Sequence, residues 1–266
     1  MSPRTVPAAA SAGTVSALER GIAVLHCFDE NVASLSNAEL SQRTAIPKPT
    51  VTRLAATLVG LGLLRQDPAT ERFSLAAGVV SLARAFLAHI DVREVARPYM
   101  AELARELGGS SYLAVRDGFD MVLIEIARSR EAALRSHHEI GTRIPLATSA
   151  LGRAYLSGLA QSHPQRHRQL MVDLQKHHGD SAWPPLAAKL QQARQTLAEH
   201  GYTLSLGDVS PEIHSVAVPL PTADGEPMAL NFGGLSYTCT EVYLRRTVAP
   251  ALGAAVQAVA RGTGAA

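Results

Sequence analysis

The sequence predicts an α+β chain: an N-terminal winged helix-turn-helix domain, a linker helix, and a larger C-terminal domain built on an antiparallel sheet. Residues 36–75 follow the order helix, turn, helix and two short strands. Residues 76–90 carry apolar side chains at helical spacing. The rest alternates runs of strands with runs of helices, which is typical of an α+β domain. The 266 residues suffice for a core in each of two domains.

The predicted division has four parts. They are a tail over 1–13 without the apolar segment of a signal peptide, a winged helix-turn-helix domain over 14–76, a linker helix over 77–91 and a second domain over 92–266. The two cysteines, and the lack of an apolar run of about 18 residues, predict a cytoplasmic protein with no membrane partner. The net charge of +2 permits nucleic-acid binding but does not argue for it.

Local signals define the first helices. A helix is predicted over 15–28, with an inner face made of Leu18, Ile22, Val24 and Leu25. Ser36 and Glu39 have the spacing of a capping box, in which each side chain accepts the backbone amide of the other. Leu35 and Leu40 flank that cap as a hydrophobic staple. The helix that starts here is expected to end near Thr44.

The second helix of the motif is predicted over 48–59, after a corner at Ala45-Ile46, with Pro47 at its start. Its inward face consists of Val51, Leu54 and Leu58. The outward face carries short hydroxylated residues and two cations. That composition suits a helix in a DNA major groove, where hydroxyls bond base edges or phosphates and arginine pairs with guanine.

A β-wing completes the motif, with strands over 63–65 and 71–75 joined by the turn Asp67-Pro68-Ala69-Thr70. The candidate DNA-binding residues are Lys48, Thr50, Thr52, Arg53, Thr57, Arg65 and Arg72. Helix-turn-helix geometry also occurs as plain packing, and some winged-helix modules bind proteins instead of DNA. The pattern alone therefore leaves the kind of partner open.

Two helices are predicted between the wing and the sheet of the second domain. The linker helix has an apolar face that can pair with a second copy of the chain or pack within its own, made of Val79, Leu82, Phe86 and Ile90. The next helix, over 92–107, is expected to be capped by Asp91 with Glu94, and to kink or break at Pro98.

The second domain is predicted to contain two hairpins separated by helices. Its strands are predicted over 111–115, 121–127, 132–137, 215–220 and 227–233. The first hairpin turns at Asp117-Gly118 and the second at 223–226. Its helices are predicted from the 145–152 segment to 159, over 186–200, where Gly201 ends the helix, and over 243–261.

Six stretches, taken in order and spacing, carry a family resemblance. In the first domain they are ALERGIAVL over 17–25, IPKPTVTRL over 46–54 and LGLLR over 61–65. In the second they are GTRIPL over 141–146, ALGRA over 150–154 and VAVPL over 216–220. Together they resemble the IclR family of transcriptional regulators.

The resemblance implies a DNA-binding regulator with a winged helix-turn-helix head and an effector domain related to the GAF and PAS sensors. It also implies a double-stranded DNA operator, a small organic acid as effector, and a homodimer that often pairs into a tetramer. The 228–232 run looks more like members that control aromatic-acid degradation, which makes an aromatic carboxylate the more specific expectation. No cofactor is expected.

The effector pocket implied by the resemblance is lined by Ala133, Ser136, Ile144, Ala150, Leu151, Ser205, Ser215, Asn231 and Gly233. Free amides where the loop enters the helix at Ala150 can bind a carboxylate, and the serines supply neutral donors. Ser205, Ser215, Asn231 and Gly233 depart from the residues common in the family, so the ligand is not expected to be of the glyoxylate type. The alternative role of these serines is to satisfy strand ends.

An enzyme is the competing class of function. The sequence contains no nucleophile elbow, phosphate-binding loop, dinucleotide fingerprint or metalloprotease helix, so no catalytic residue is predicted. His163 and His167 lie four apart, but no acidic or cysteine partner accompanies them at a familiar zinc spacing. No metal site is therefore predicted.

Overall fold

The computed structural model describes residues 15–133 and 138–265, and for Glu131 and Ala133 it describes the backbone only. The chain divides into two compact units, with the boundary between His89 and Ile90. That boundary falls inside the segment predicted as a linker. No helix in the described ranges is both long enough and apolar enough to cross a bilayer.

The first unit is a winged helix-turn-helix followed by a single helix. Its elements are α1 Ser16–Leu25, α2 Asn37–Thr44, α3 Lys48–Gly60, β1 Leu64–Gln66, β2 Phe73–Leu75 and α4 Gly78–Ala88. Strands β1 and β2 are antiparallel, and Leu35 pairs with Phe73 through two backbone hydrogen bonds of 2.7 and 2.8 Å. The wing is thereby anchored beside the start of α2.

The core of this unit confirms the predicted inner face of α3 and corrects that of α1. Val51, Ala55 and Leu58 of α3 are buried. On α1 the buried residues are Gly21 and Val24, whereas Leu18 and Ile22 are exposed. The periodicity of α1 allows two apolar stripes, and packing against α3 selects the stripe that contains Val24. The predicted face of Leu18 and Ile22 was wrong.

Helix α4 has no buried side chain against the described residues of the first unit. Leu82 and Phe86 are 63% and 54% exposed, and Val80 is exposed beside them. Leu82 and Phe86 of the predicted apolar face are therefore not covered by the rest of the first unit.

The second unit contains one six-stranded antiparallel sheet in the order β5-β4-β3-β8-β7-β6. Its strands are β3 Ser110–Asp117, β4 Asp120–Arg128, β5 Arg143–Pro145, β6 Thr203–Leu206, β7 Ile213–Leu220 and β8 Met228–Leu235. The two predicted hairpins are β3–β4 and β7–β8, and they meet in the middle of the sheet.

Helices cover the sheet in two groups. The helices of this unit are α5 Asp91–Leu107, α6 Arg130–Ala133, α7 Ala150–Ser162, α8 Pro164–His178, α9 Trp183–His200, α10 Glu241–Tyr243 and α11 Ala249–Gly262, with a π turn at Leu244–Val248. Tyr112 and Ala114 pack in one buried cluster with α7. Because side chains alternate along a strand, Leu113 faces away from α7. Helices α5 and α11 pack against each other and against the central strands.

Several predicted elements differ from the structure. The backbone at 130–133 is the short helix α6, so a strand beginning at Ala132 was wrong, and residues 134–137 lie outside the described ranges. The predicted strands did not include β5 or β6, since an edge strand of three or four residues has little pattern of its own. The predicted cap at Asp91 was wrong as well, because Ile90 is the N-cap and Asp91 lies in the first turn.

Helix α5 continues through Pro98 without a break. An interior proline removes one helical hydrogen bond and costs about 3 kcal/mol. Ala96, Met100 and Leu103 are buried in the same helix. Burying a large apolar side chain contributes about 1.5–3 kcal/mol, so packing on the sheet offsets the proline.

Candidate functional site

Besides its buried apolar face, helix α3 is positioned by polar contacts between its first turns and the start of α2. The capping box is formed, since the Glu39 amide donates to Ser36 Oγ at 3.3 Å and the Ser36 amide donates to Glu39 Oε2 at 2.7 Å. Asn37 Nδ2 then donates to Thr52 Oγ1 at 2.6 Å and reaches the Lys48 carbonyl at 3.5 Å. Asn37 therefore sets the position of α3 against α2, a role that the sequence analysis missed.

The outward face of α3 contains the predicted DNA-binding residues, but its hydroxyls are not all available. Thr52 Oγ1 donates to the Lys48 carbonyl at 3.0 Å, and Thr57 Oγ1 donates to the Arg53 carbonyl at 3.0 Å. Thr52 and Thr57 thus present their methyl groups more readily than their hydroxyl protons. Thr50 is half-buried at the third position of the helix.

Arg53 is an available cation on this face. It is exposed, and its guanidinium has no hydrogen bond or ion pair with any residue in 15–133 or 138–265. Lys48 is also exposed, and α3 contains no carboxylate. Residues 15–89 carry seven Lys/Arg and six Asp/Glu, so the unit has a net charge of +1. Any attraction for DNA must come from where the cations lie, since the total charge is small.

The two arginines of the wing differ in the hydrogen bonds and ion pairs that their guanidinium groups make. Arg65 is exposed, and its Nε donates to Ser74 Oγ at 2.9 Å. Arg72 is held by Ser34, through Nε to Oγ at 2.9 Å and Nη2 to the carbonyl at 3.0 Å, and by an ion pair with Glu39 at 2.9 Å. Arg72 therefore joins the wing to the cap of α2, whereas Arg65 has donors left.

The pairing of the second sheet brings several predicted pocket residues into one row on the face toward α7. Ser205 pairs with Ser215, Ser215 pairs with Gly233, and Gly233 pairs with Ser110. A Cβ atom on Gly233 would lie 2.9 Å from Ser215 Cβ, so the glycine keeps this row open. We call these four residues, which come from four neighbouring strands, the serine row. Their side chains are small, and three of the four are polar.

Arg128 extends this row on the fifth strand, directly opposite Ser110. Its Nη1 donates to Glu139 Oε1 at 3.2 Å. Its Nε and Nη2 are buried and have no partner within the described ranges. These two atoms form one edge of the guanidinium, which matches the two oxygens of a carboxylate. The sequence analysis missed Arg128, because only the strand register places it beside the serines.

The next row of the sheet adds an amide to the same face. Asn231 pairs with Tyr112 on one side and with Ala217 on the other. Asn231 is buried, and its Oδ1 has no partner in the described chain. A buried acceptor without a partner costs free energy, so a ligand hydroxyl or amide that donates to Asn231 Oδ1 would be favoured.

The start of α7 closes the β6 end of the row. Ser149 caps the helix by accepting the Gly152 amide at 3.0 Å. Ser205 Oγ donates to the Thr148 carbonyl at 3.2 Å. Ala150 and Leu151 follow in the first turn and are buried. First-turn amides lack helical acceptors, so this end of the row carries a partial positive charge.

Not every predicted pocket residue lies in this arrangement. Ser136 and the side chain of Ala133 lie outside the described part of the chain. Ile144 pairs with Met121, which pairs with Arg116, six residues along β3 from Ser110. At about 3.3 Å per residue, Ile144 lies about 20 Å along the strand direction from the serine row. The structure therefore does not bring Ile144 to that row.

Two family models match the chain. The IclR helix-turn-helix domain matches residues 17–68, and the bacterial transcriptional regulator IclR C-terminal domain matches residues 84–261. Among curated proteins, the regulator TsaQ1/TsaQ2 of Comamonas testosteroni is 31% identical over 247 residues, which is 92% of this chain and 87% of that protein. The Pca regulon regulatory protein of Pseudomonas putida is 28% identical, over 81% of this chain and 72% of its own length.

Solved structures resemble the fold over most of its length. An IclR family transcriptional regulator from Brucella abortus has a TM-score of 0.83 and 32% identity, with 94% of this chain and 92% of that chain covered. An IclR homologue from Microbacterium hydrocarbonoxydans, crystallised with 4-hydroxybenzoate, has a TM-score of 0.74 and 19% identity, with 94% and 100% covered.

Proposed function

The chain belongs to the IclR family, a family of transcription regulators and not of enzymes, and we propose that it binds operator DNA through α3 under the control of a small organic acid. The observation that carries the DNA part is the outward face of α3, where Arg53 and Lys48 are exposed. The observation that carries the effector part is the unpaired edge of Arg128 beside the serine row.

On DNA, the outward face of α3 would lie in the major groove. The guanidinium of Arg53 would pair with guanine, and the methyl groups of Thr52 and Thr57 would contact thymine methyls. Arg65 would contact a flanking phosphate, which fixes position without carrying sequence information. Arg72 would act mainly within the protein, because Ser34 and Glu39 already hold its guanidinium.

The effector would be a carboxylate with an apolar body. Its carboxylate would take the Nε–Nη2 edge of Arg128, and its body would lie along the row toward Ser215 and Asn231. Tyr112 and Ile126, which pair with each other in the next row, would supply an apolar wall. A protein of the same fold holds 4-hydroxybenzoate, so the fold can accept an aromatic carboxylate. A hydroxyl on the ring would have Asn231 Oδ1 as an acceptor.

The regulator would act as a homodimer or a pair of dimers. The support is the apolar surface of α4, where Val80, Leu82 and Phe86 are exposed. A second copy of α4 would cover that surface, and two heads would then reach two half-sites of one operator. Two heads also compensate for the small charge of each head, because the second contact forms at a high effective concentration.

The experiment that tests the DNA proposal is a selection of genomic fragments by the full-length protein, followed by titration of the best fragment at several salt concentrations. We expect saturable binding that is stronger than to scrambled DNA, with a logarithmic affinity that falls linearly with the logarithm of salt. Arg53→Ala should lose this preference, and Arg20→Ala, an exposed arginine on α1, should keep it. Equal binding to selected and scrambled DNA would overturn the proposal.

A further inference from the structure

A second concave site lies in the second unit, among α7, α8 and α9. It is a groove of about 520 Å³. Its apolar wall includes Leu156, Met171 and Trp183. It is built by helices alone, and none of the residues in the serine row lines it.

The groove is positively charged. Arg153 and Arg194 both line it, and none of its twelve lining residues is an aspartate or a glutamate. His167 also lines it, and burial together with the charge of Arg194 lowers the pKa of this imidazole below its ordinary value. At neutral pH His167 is therefore an uncharged hydrogen-bonding group, and the two guanidinium groups carry the positive charge.

Only one nitrogen of the Arg153 guanidinium has hydrogen-bond acceptors among the described residues. It is 5% exposed, and its Nη1 donates to the Leu204 carbonyl at 2.6 Å and to Asp208 Oδ2 at 2.8 Å. Its Nε and Nη2 are buried without a partner in the part of the chain that the structure describes. Leaving the donors of a buried charged group unpaired is costly.

Asp208 pairs with the other side of this arginine. It contacts both Arg153 and Lys189. Burial alone would raise the pKa of the Asp208 carboxyl, but the hydrogen bonds and charges of Lys189 and Arg153 lower it below its ordinary value. Asp208 thus stays ionised and fixes Nη1, which leaves the opposite edge of Arg153 for another acceptor.

We propose that this groove is a second ligand site, distinct from the serine row, which binds a small carboxylate carrying an aromatic or other apolar group. The carboxylate takes the Nε–Nη2 edge of Arg153 in a bidentate pair. Arg194 adds charge at the rim, and Trp183 and Met171 contact the apolar group. A site of this kind, mostly apolar with a few convergent polar groups, is typical of small-molecule binding.

The groove is connected to the sheet through Arg153. Leu204, whose carbonyl Arg153 holds, lies between Thr203 and Ser205 on β6. Ser205 is the end of the serine row. A ligand that pairs with Arg153 would act through this hydrogen bond on Leu204, the residue next to the end of that row. This connection gives two sites a physical route for coupling, and coupling between them must be reciprocal.

Trp183 makes the proposal directly testable, because it is the single tryptophan of the chain and lines the groove. The experiment titrates the full-length protein with benzoate while the fluorescence of Trp183 is recorded. We expect a saturable change in emission. Benzyl alcohol has the same ring without the charge and should bind at least tenfold more weakly.

Two variants assign the signal to the groove. Arg153→Lys keeps a cation beside Asp208 but removes the bidentate edge, and Arg194→Gln changes only an exposed side chain. Each should raise the benzoate concentration needed for half of the change, by about tenfold for Arg153→Lys and less for Arg194→Gln. Arg168→Gln, an exposed change on α8 outside the groove, is the matched control and should have no effect.

The outcomes separate this proposal from the one for the serine row. Arg128→Met should keep the saturable change in Trp183 fluorescence, because Arg128 does not line the groove. The absence of a saturable change at millimolar benzoate would overturn the second site. Equal binding of benzyl alcohol would overturn the role of the carboxylate. Loss of the signal in Arg128→Met, with Arg153→Lys unaffected, would assign the ligand to the serine row alone.

Discussion

Arginine is used in opposite ways in the two units. Arg53 lies on the surface of α3 and has no partner in the described chain, whereas Arg128 and Arg153 lie inside the second unit with one edge unpaired. An exposed guanidinium is solvated by water, so the lack of a protein partner changes the stability of the free protein little. A buried guanidinium with unpaired donors destabilises the free protein until a ligand pairs it.

The difference predicts two kinds of binding. On α3 the affinity for DNA should depend strongly on salt, because the interaction replaces counterions on phosphates. In the second unit, binding should appear as stabilisation of the fold, because a ligand that binds only the native state raises its stability. Five changes in single residues test the roles assigned to the two units.

The largest effect is expected at Arg128. Arg128→Met should weaken binding of the aromatic carboxylate that stabilises the protein most by about 2–5 kcal/mol, since a buried charge-assisted pair is lost. The unliganded variant should be as stable as the wild type or more stable, because an apolar side chain replaces a half-paired charge. Calorimetric titration and thermal denaturation measure both quantities. Arg130→Met, an exposed neighbour, is the control, and an equal loss in both variants would contradict the assignment.

The next effect is expected at Arg53. Arg53→Ala should weaken binding to the preferred DNA site by about 1–3 kcal/mol per half-site, since the pairing with guanine is lost. Binding to scrambled DNA should fall much less. Fluorescence anisotropy with both DNAs measures the difference. A uniform loss on both would show that Arg53 contacts a phosphate instead of a base.

The two arginines of the wing should differ in what their replacement changes. Loss of Arg65 should alter the salt dependence of DNA binding, and loss of Arg72 should alter the stability of the first unit. Arg65→Gln should reduce the slope of logarithmic affinity against logarithmic salt by about 1, with unchanged stability. Arg72→Gln should lower the stability of the first unit by about 1 kcal/mol, because the hydrogen bonds to Ser34 are lost. Arg72→Gln should change the slope of logarithmic affinity against logarithmic salt less than Arg65→Gln does. The reverse pattern would place Arg72, and not Arg65, on the DNA.

The smallest effect is expected at the cap of α2. The amide and hydroxyl of Ser36, and then Arg72, lower the pKa of Glu39 to about 2. A lowered carboxyl pKa contributes stability that is present above the unfolded value of 4.5 and is lost as the pH falls toward 2. Thermal unfolding should therefore show a small loss for the wild type over this range and a smaller one for Glu39→Gln. Parallel curves would contradict the role of the ionised cap.

Much of the first unit could be predicted because its signals are local. The capping box at Ser36 and Glu39, the corner at Ala45 and the turn at Asp67 each depend on residues within four positions of one another. The structure confirms the helix-turn-helix and the wing that follow from them. The face of α1 could not be predicted in this way, because packing against α3 decides which apolar stripe is buried.

The second unit was less predictable because its candidate site depends on strand register. Ser205 and Gly233 of the serine row are 28 positions apart in the sequence and are brought together by the pairing of strands. Arg128 joins the row only because it pairs with Ser110, which pairs with Gly233. The family resemblance supplied Ser205, Ser215 and Gly233, but neither Ser110 nor Arg128. Arg153 lies within a matched stretch, yet only the folded chain shows that one of its edges is unpaired.

The measurement that tests the account most directly is the operator affinity of the full-length protein with and without a saturating aromatic carboxylate, for the wild type and for Arg128→Met. The account predicts that the carboxylate changes the wild-type affinity, that DNA changes the carboxylate affinity by the same factor, and that Arg128→Met binds DNA normally but does not respond. A wild-type operator affinity that the bound carboxylate leaves unchanged, or an unaltered response in Arg128→Met, would contradict it.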